Sequence, residues 1–337
     1  MCEGKMKTSK QILKLEQIKQ IAHGLARVEA VDGRMELCRF TKEQQELYKG
    51  VSNDFYVKSC STSGVSLEFD TDSEYLGLSV SICEGSSRYF FTHSIFVDGE
   101  RIGDLSGEIA SGAEHVPFEK EFQLGIGIKR VRIVFPWSVA SSLVALELDK
   151  DAKIMPVKKR CRMLMFGDSI TQGYDAMAPE HAYAVKIATL MNAEARNKGI
   201  GGERFRASLA LLEEDFEPDV IMVAYGTNDW ANCKKIVFEE ACKEFYINLR
   251  STYPDAKIIA LAPVWRSDIQ DENSEGVPIS YVAKYMNHIS ESISDMTVID
   301  CVDFIPHEVE YFQTDGVHPI DIGFECYAKN LWEAMGK

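Results

Sequence analysis

The sequence predicts two folds in tandem, a β-sandwich of jelly-roll type followed by a doubly wound α/β domain. Three observations predict this. Apolar and polar residues alternate through much of 51–150, the period of half-buried strands. Beyond about residue 160, short near-continuous apolar runs alternate with helical patterns, as in a parallel sheet covered on both faces. Between these regimes lies a Lys/Arg-rich stretch, Lys150 to Arg162. The division that follows is a helical segment over 1–50, a sandwich over 51–155 and an α/β domain over 156–337.

Composition narrows the partners. At 337 residues the chain can fill two cores. Its net charge of −15 opposes nucleic-acid binding, which needs a basic face, and disfavours anionic membrane surfaces. No stretch approaches the ~20 apolar residues of a membrane span. The first ten residues carry charges with no apolar signal core behind them. Nine scattered cysteines without a CxxC pair read as reduced thiols rather than disulfides or zinc ligands. A cytoplasmic protein is therefore expected, or a secreted one if a leader precedes this sequence. Oligomeric state is not legible.

Taken in order, residues 9–29 read as an amphipathic helix on the spacing of Leu15, Ile18, Ala22 and Leu25. Thr41-Lys-Glu-Gln44 fits a capping box and Gly50 a stop, giving a helix over 42–49. Period-two runs then follow at Val65–Phe69, Leu76–Ile82, Val131–Phe135 and Val144–Leu148, with Asp98-Gly99 as a hairpin turn. In the second half, strands are expected at Met163–Phe166, 219–225, 257–262 and 297–301. Helices are expected at 181–192, 238–252, 279–293 and 321–335.

The chemistry sits where those strands end. Gly167-Asp-Ser169 leaves the first apolar run, Asn197-Lys-Gly-Ile-Gly-Gly202 follows the second strand, and Gly226-Thr-Asn-Asp229 follows the third. Asp315-Gly-Val-His-Pro319 precedes the last helix. Strand ends of an open parallel sheet converge on one edge. Acyl transfer needs what these loops hold: Ser169 as nucleophile, His318 as base and Asp315 to fix the imidazole tautomer. The backbone N–H groups of Ser169 and Gly202 and the Asn228 amide are candidate oxyanion donors. Each has a plainer alternative. Ser169 suits a helix N-cap, the glycines a turn, and Asn228 a turn satisfying its own backbone. His318 competes with His181, His288 and His307, and is preferred for the acid three residues before it. Asp168 and Asp229 read as loop-shaping. Trp230 and Trp265 are candidate substrate-binding residues at the site edge, or else core.

These four blocks resemble, in order and spacing, those of the SGNH/GDSL hydrolases, over roughly 160–337. The resemblance implies a flavodoxin-like sheet, Ser169 as nucleophile, Gly202 and Asn228 in the oxyanion hole, and Asp315 and His318 completing a triad. By its architecture the sandwich resembles the amino-terminal jelly roll of family-2 carbohydrate esterases. That implies acetyl or another small acyl group on a sugar as substrate, although some of those enzymes dispense with the triad acid that Asp315 supplies here. The expected function is a metal-independent, cofactor-free serine esterase acting on a small-molecule or carbohydrate ester. Alternatives are a lipid or thioester acylhydrolase of the same mechanism, or a carbohydrate-binding protein without turnover. There is no G-x-S-x-G, Walker A or HExxH motif, and Arg204 stands where a dinucleotide fingerprint needs its last glycine.

Overall fold

The computed structural model describes residues 9–268 and 272–336. Residues 10–156 build two six-stranded antiparallel sheets packed face to face. One runs Arg27–Val31, Arg34–Cys38, Val139–Asp149, Tyr75–Glu84, Val116–Gln123, with Lys10–Ile12 also paired to Val139–Asp149. The other runs Met155–Pro156, Ser66–Thr71, Lys129–Val134, Phe90–Val97, Glu100–Glu108, with Ala22–His23 on Ser66–Thr71. Alternation explains the core. Leu67, Phe69, Leu78, Val80, Val131, Ile133, Leu146 and Leu148 face inward and are fully or almost fully buried, while their neighbours point out. At the tip of Phe90–Glu108, Asp98 and Gly99 both take positive φ (50° and 91°), as a tight two-residue hairpin requires.

The amino-terminal segment corrects the sequence reading. Residues 9–29 are not one helix: Leu15–Ile21 is helical, and strands flank it on both sides. Of the four residues whose spacing suggested it, Ile18 and Leu25 enter the sandwich core and Ala22 packs against it, whereas Leu15 is half-buried and outside that cluster; Leu13 and Ile21 enter the core instead. The short strands pair with residues far along the chain, and local periodicity carries no sign of that. Residues 10–12, 22–23, 27–31 and 34–38 thus join the two sheets, while Phe40 and Tyr48 pack into the core of the parallel-sheet domain; residues 1–8 lie outside the described residues. The capping box at Thr41 and Gln44 is present, and its helix runs Lys42–Val51, through Gly50. A second helix, Asn53–Ser59, occupies residues expected to begin the strands.

From Cys161 onward the chain forms a five-stranded parallel sheet in the order Ala193–Gly199, Cys161–Gly167, Val220–Ala224, Lys257–Leu261, Met296–Ile299. This is the 2-1-3-4-5 order of flavodoxin-like folds. The apolar runs serve both faces. Leu164, Phe166, Ile221 and Val223 meet the helices Lys235–Thr252 and Ser280–Ser290. Met163, Met165, Met222 and Ile259 meet Tyr183–Leu190 and Asp321–Ala334. Val134 and Trp137 of the sandwich join this second cluster, so the two parts share apolar packing.

Candidate active site

Strand register sets the floor of the site. Gly167 lies opposite Gly199 on one side and Ala224 on the other, so three strands end level. Ser169 then opens a single helical turn, Ser169–Gln172, capped by Asp168, whose carboxylate accepts the Ile170 N–H at 2.9 Å. Asp168 is 3% exposed, and burial pushes its pKa up to about 6 against that backbone hydrogen bond and the nearby His318 and Arg266. Its place is at the cap.

The loop ahead of the last helix folds on its own aspartate. Asp315 Oδ1 accepts the N–H groups of Val317 and His318 at 2.9 and 3.1 Å. Its Oδ2 lies 2.6 Å from His318 Nδ1, and His318 Nε2 lies 2.7 Å from Ser169 Oγ. A carboxylate on Nδ1 dictates the tautomer: Nδ1–H donates to Asp315, and Nε2 is left to accept from the serine. Burial works to raise the Asp315 pKa, but hydrogen bonds from the His318 ring and two backbone N–H groups hold it well below the usual carboxylate range. Tyr174 stacks on the imidazole with ring centres 5.4 Å apart. The competing histidines are engaged elsewhere. His181 meets Asp321 at 2.7 Å, His307 stacks on Trp265, and His288 lies beside Tyr285.

Gly202 takes φ of +85°, the left-handed region that favours glycine. Its N–H and that of Ser169 have no protein acceptor among the described residues. Asn228 donates Nδ2 to the Glu203 carbonyl at 3.0 Å, which ties the Gly226 loop to the Gly202 loop and uses one of its two amide protons. Asn197 does not follow its strand but lies within it. Its amide clamps three segments, accepting from Gly199 N (2.8 Å) and donating to Thr171 O (2.7 Å) and Ser63 Oγ (3.1 Å). A Cβ on Gly199 would collide with the backbone at Thr171–Gln172, so the clamp closes only over glycine.

Of its two alternatives, Trp230 takes the core. It is 3% exposed, sits in the core beneath the sheet, and donates Nε1 to Val277 O at 2.7 Å. Trp265 is half-buried between His307 and Phe312, its ring parallel to the imidazole at 4.9 Å. Asp229 is buried, and burial pushes its pKa up to about 7 against hydrogen bonds from Phe205 N and its own backbone N–H.

Several residues around the site had no signal in the sequence. Arg266 donates Nη1 to the Thr227 carbonyl and hydroxyl at 3.1 and 3.2 Å and binds both carboxylate oxygens of Asp268 through Nε and Nη2. Ser267 N then bonds Gly316 O at 2.8 Å, so this short segment braces the Asn228 loop and the His318 loop together. From the sandwich, fully buried Arg39 donates to Asn197 O and Gly199 O, and Lys58 Nζ to Gly201 O at 3.0 Å. Each pairs residues more than 140 positions apart in the chain, as with the separation of 143 between Lys58 and Gly201.

Residues 165–325 match the model of the GDSL-like Lipase/Acylhydrolase family. No curated protein sequence matches. Among solved structures, a salicylyl-acyltransferase (SsfX3) from a tetracycline biosynthetic pathway superposes with a TM-score of 0.79 at 19% identity, over 94% of each chain. A family two carbohydrate esterase from Cellvibrio japonicus gives 0.67 at 15% identity over 97% of each chain. An acetyl xylan esterase (Est2A) from Butyrivibrio proteoclasticus gives 0.64 at 16% identity, again over 97% of each. The likeness extends through the sandwich as well as the parallel sheet. Behind its β-sandwich the chain thus carries a parallel-sheet domain whose residues 165–325 match the GDSL-like lipase/acylhydrolase family model.

Proposed function

We propose that the protein is a serine esterase that removes small acyl groups, acetyl above all, from a carbohydrate or small glycoside. The observation that carries this is the unbroken relay Asp315 Oδ2–His318 Nδ1 (2.6 Å) and His318 Nε2–Ser169 Oγ (2.7 Å). His318 takes the serine proton as Oγ attacks the ester carbonyl. The oxyanion that forms is met by the free N–H groups of Ser169 and Gly202 and the second proton of the Asn228 amide. The tetrahedral species collapses, the alcohol leaves with the proton held on His318, and an acyl-serine remains. Water, deprotonated by His318, then releases the acid and restores Ser169. Asp315 keeps the imidazole oriented and stabilises its charged form.

The small-acyl reading is supported by the shared scaffold with an acetyl xylan esterase. Ser169 is 6% exposed. Trp230 gives no support to sugar stacking, since it is buried. The preference for a carbohydrate rests on the shared scaffold with carbohydrate esterases.

A panel of p-nitrophenyl acetate, butyrate and octanoate with acetylated xylo-oligosaccharides tests the proposal. Acetyl esters should turn over fastest, and octanoate at a small fraction of that rate. Preference for octanoate would move the reading to a lipid acylhydrolase, and no turnover at all to a binding protein. An added alcohol that diverts most acyl groups from water would make it an acyltransferase, as the named neighbour is.

Asn228→Ala should lower kcat by roughly 10²–10³ with KM little changed, because the amide matters only once charge develops on the oxygen. A change confined to KM would remove Asn228 from the oxyanion hole.

A further inference from the structure

The turn after the Ser169 helix joins the sandwich to His318. Asp175 takes φ of +68°, a left-handed conformation that Asp and Asn tolerate better than most side chains. Its carboxylate is 7% exposed. Arg88, from the sandwich loop between Tyr75–Glu84 and Phe90–Val97, donates Nε to Asp175 Oδ1 at 2.6 Å and Nη2 to Oδ2 at 2.9 Å. That same Oδ2 lies 3.8 Å from His318 Nδ1, the ring nitrogen that Asp315 already holds. The Arg88 guanidinium also sits 5.6 Å from the centre of the Tyr174 ring, the ring that stacks on His318. Trp137 of the sandwich fastens the turn, donating Nε1 to Ala176 O at 2.8 Å.

Joining the two domains does not by itself require a carboxylate beside the imidazole. Glu180 joins them too, through Ser94 at 2.6 Å and Arg101 at 3.3 Å, and neither partner belongs to the Ser169 site. The charged and titratable groups around His318 are Asp315 on its own loop, Asp175 on the turn and Arg88 on the sandwich. Asp168 and Ser169 on the first loop and Tyr174 against the ring complete the set. Arg266 acts on Asp168. A second carboxylate close to an imidazole favours its charged form, the form that cannot accept a proton from a serine.

We propose that Arg88 and Asp175 are a positioning pair supplied across the domain interface: Asp175 buttresses the imidazolium formed during turnover, and Arg88 offsets its charge so that the resting imidazole stays neutral. This rests on the reading of Ser169 as nucleophile and His318 as base. The sandwich then takes part in proton transfer without touching substrate.

A double-mutant cycle on the full-length protein tests it, with kcat/KM for p-nitrophenyl acetate followed against pH. Arg88→Met leaves Asp175 unbalanced and should move the acidic limb of the profile upward by about one pH unit. Asp175→Asn leaves Arg88 unbalanced and should move the limb downward, by an amount of the same order. The double variant should return close to wild type, and Arg88→Lys should stay there because it keeps the charge. Both single variants should lose only a few-fold in plateau kcat. Asparagine is nearly isosteric and suits the positive φ, so Asp175→Asn decides the matter even if Arg88→Met does not fold. An unmoved limb in Asp175→Asn, or shifts of the same sign in both single variants, overturns the proposal. Labelling of wild-type Ser169 by an organophosphonate separates the outcomes: without labelling the nucleophile assignment fails, and with labelling only the pair does.

Discussion

Ser169→Ala is expected to lower kcat for acyl esters by on the order of 10⁶ while leaving the fold unchanged, since a triad nucleophile carries about that much where it has been removed. The size follows from the geometry. Among the described residues, Ser169 Oγ has one side-chain partner, His318 Nε2 at 2.7 Å, and no other hydroxyl bonds that nitrogen. On the proposed mechanism, what survives in the variant would be electrostatic, the free N–H groups at 169 and 202 meeting an oxyanion formed by direct attack of water. Stability should hold, because the Asp168 cap on Ile170 N and the bonds from Ser169 O to Gly173 and Tyr174 involve no serine side-chain atom. The measurements are p-nitrophenyl acetate turnover, the thermal midpoint, and phosphonate labelling by mass. Undiminished turnover in a folded variant would refute the nucleophile assignment.

Much of this site could be read from the sequence because it hangs on strand ends. An apolar run such as 219–225 stops where its strand leaves the core, so the polar residues after it fall on the sheet edge whatever the rest of the chain does. His318 was separable from its rivals because Asp315 folds its own loop, a contact only three residues long. Contacts across long separations were invisible. The 9–29 stretch shows a helical period because its apolar residues reach a core, yet its flanking strands are defined by partners at 147–149 and 66–67. Trp230 adjoins Asp229 in sequence, but the helix Thr227–Asn232 carries its side chain into the core with Phe238 and Val282. Arg39, Arg88 and Asp175 belong to no motif. They have meaning only once the sandwich is docked.

That docking leads to the largest expected effect on stability. Arg39 is fully buried, and all its recorded acceptors are neutral oxygens. Nε donates to Ser61 O at 2.9 Å, Nη1 to Asn197 O and Gly199 O at 2.7 and 2.8 Å, and Nη2 to Lys58 O and Ser61 Oγ at 2.9 and 3.1 Å. Desolvation opposes the charge and pushes the pKa down to about 9, with no carboxylate among its hydrogen-bond partners to offset it. Such an arrangement persists because the five hydrogen bonds close the joint between the helix Asn53–Ser59 and the strand that ends at Gly199. Arg39→Met fills much of the volume but strands several buried carbonyls, each costing roughly 1–3 kcal/mol. A loss on the order of 4 kcal/mol follows, well above an ordinary substitution. Because Asn197 and Gly199 lead directly into Gly202, kcat should fall with stability, and more than KM rises. A fragment beginning near residue 155 lacks Arg39, Lys58, Ser63, Arg88 and Trp137 together, and should be neither stable nor active. Urea denaturation and steady-state kinetics on Arg39→Met check this. A variant that unfolds at the wild-type urea concentration with kcat intact would show that the parallel-sheet domain holds its oxyanion loop without the sandwich.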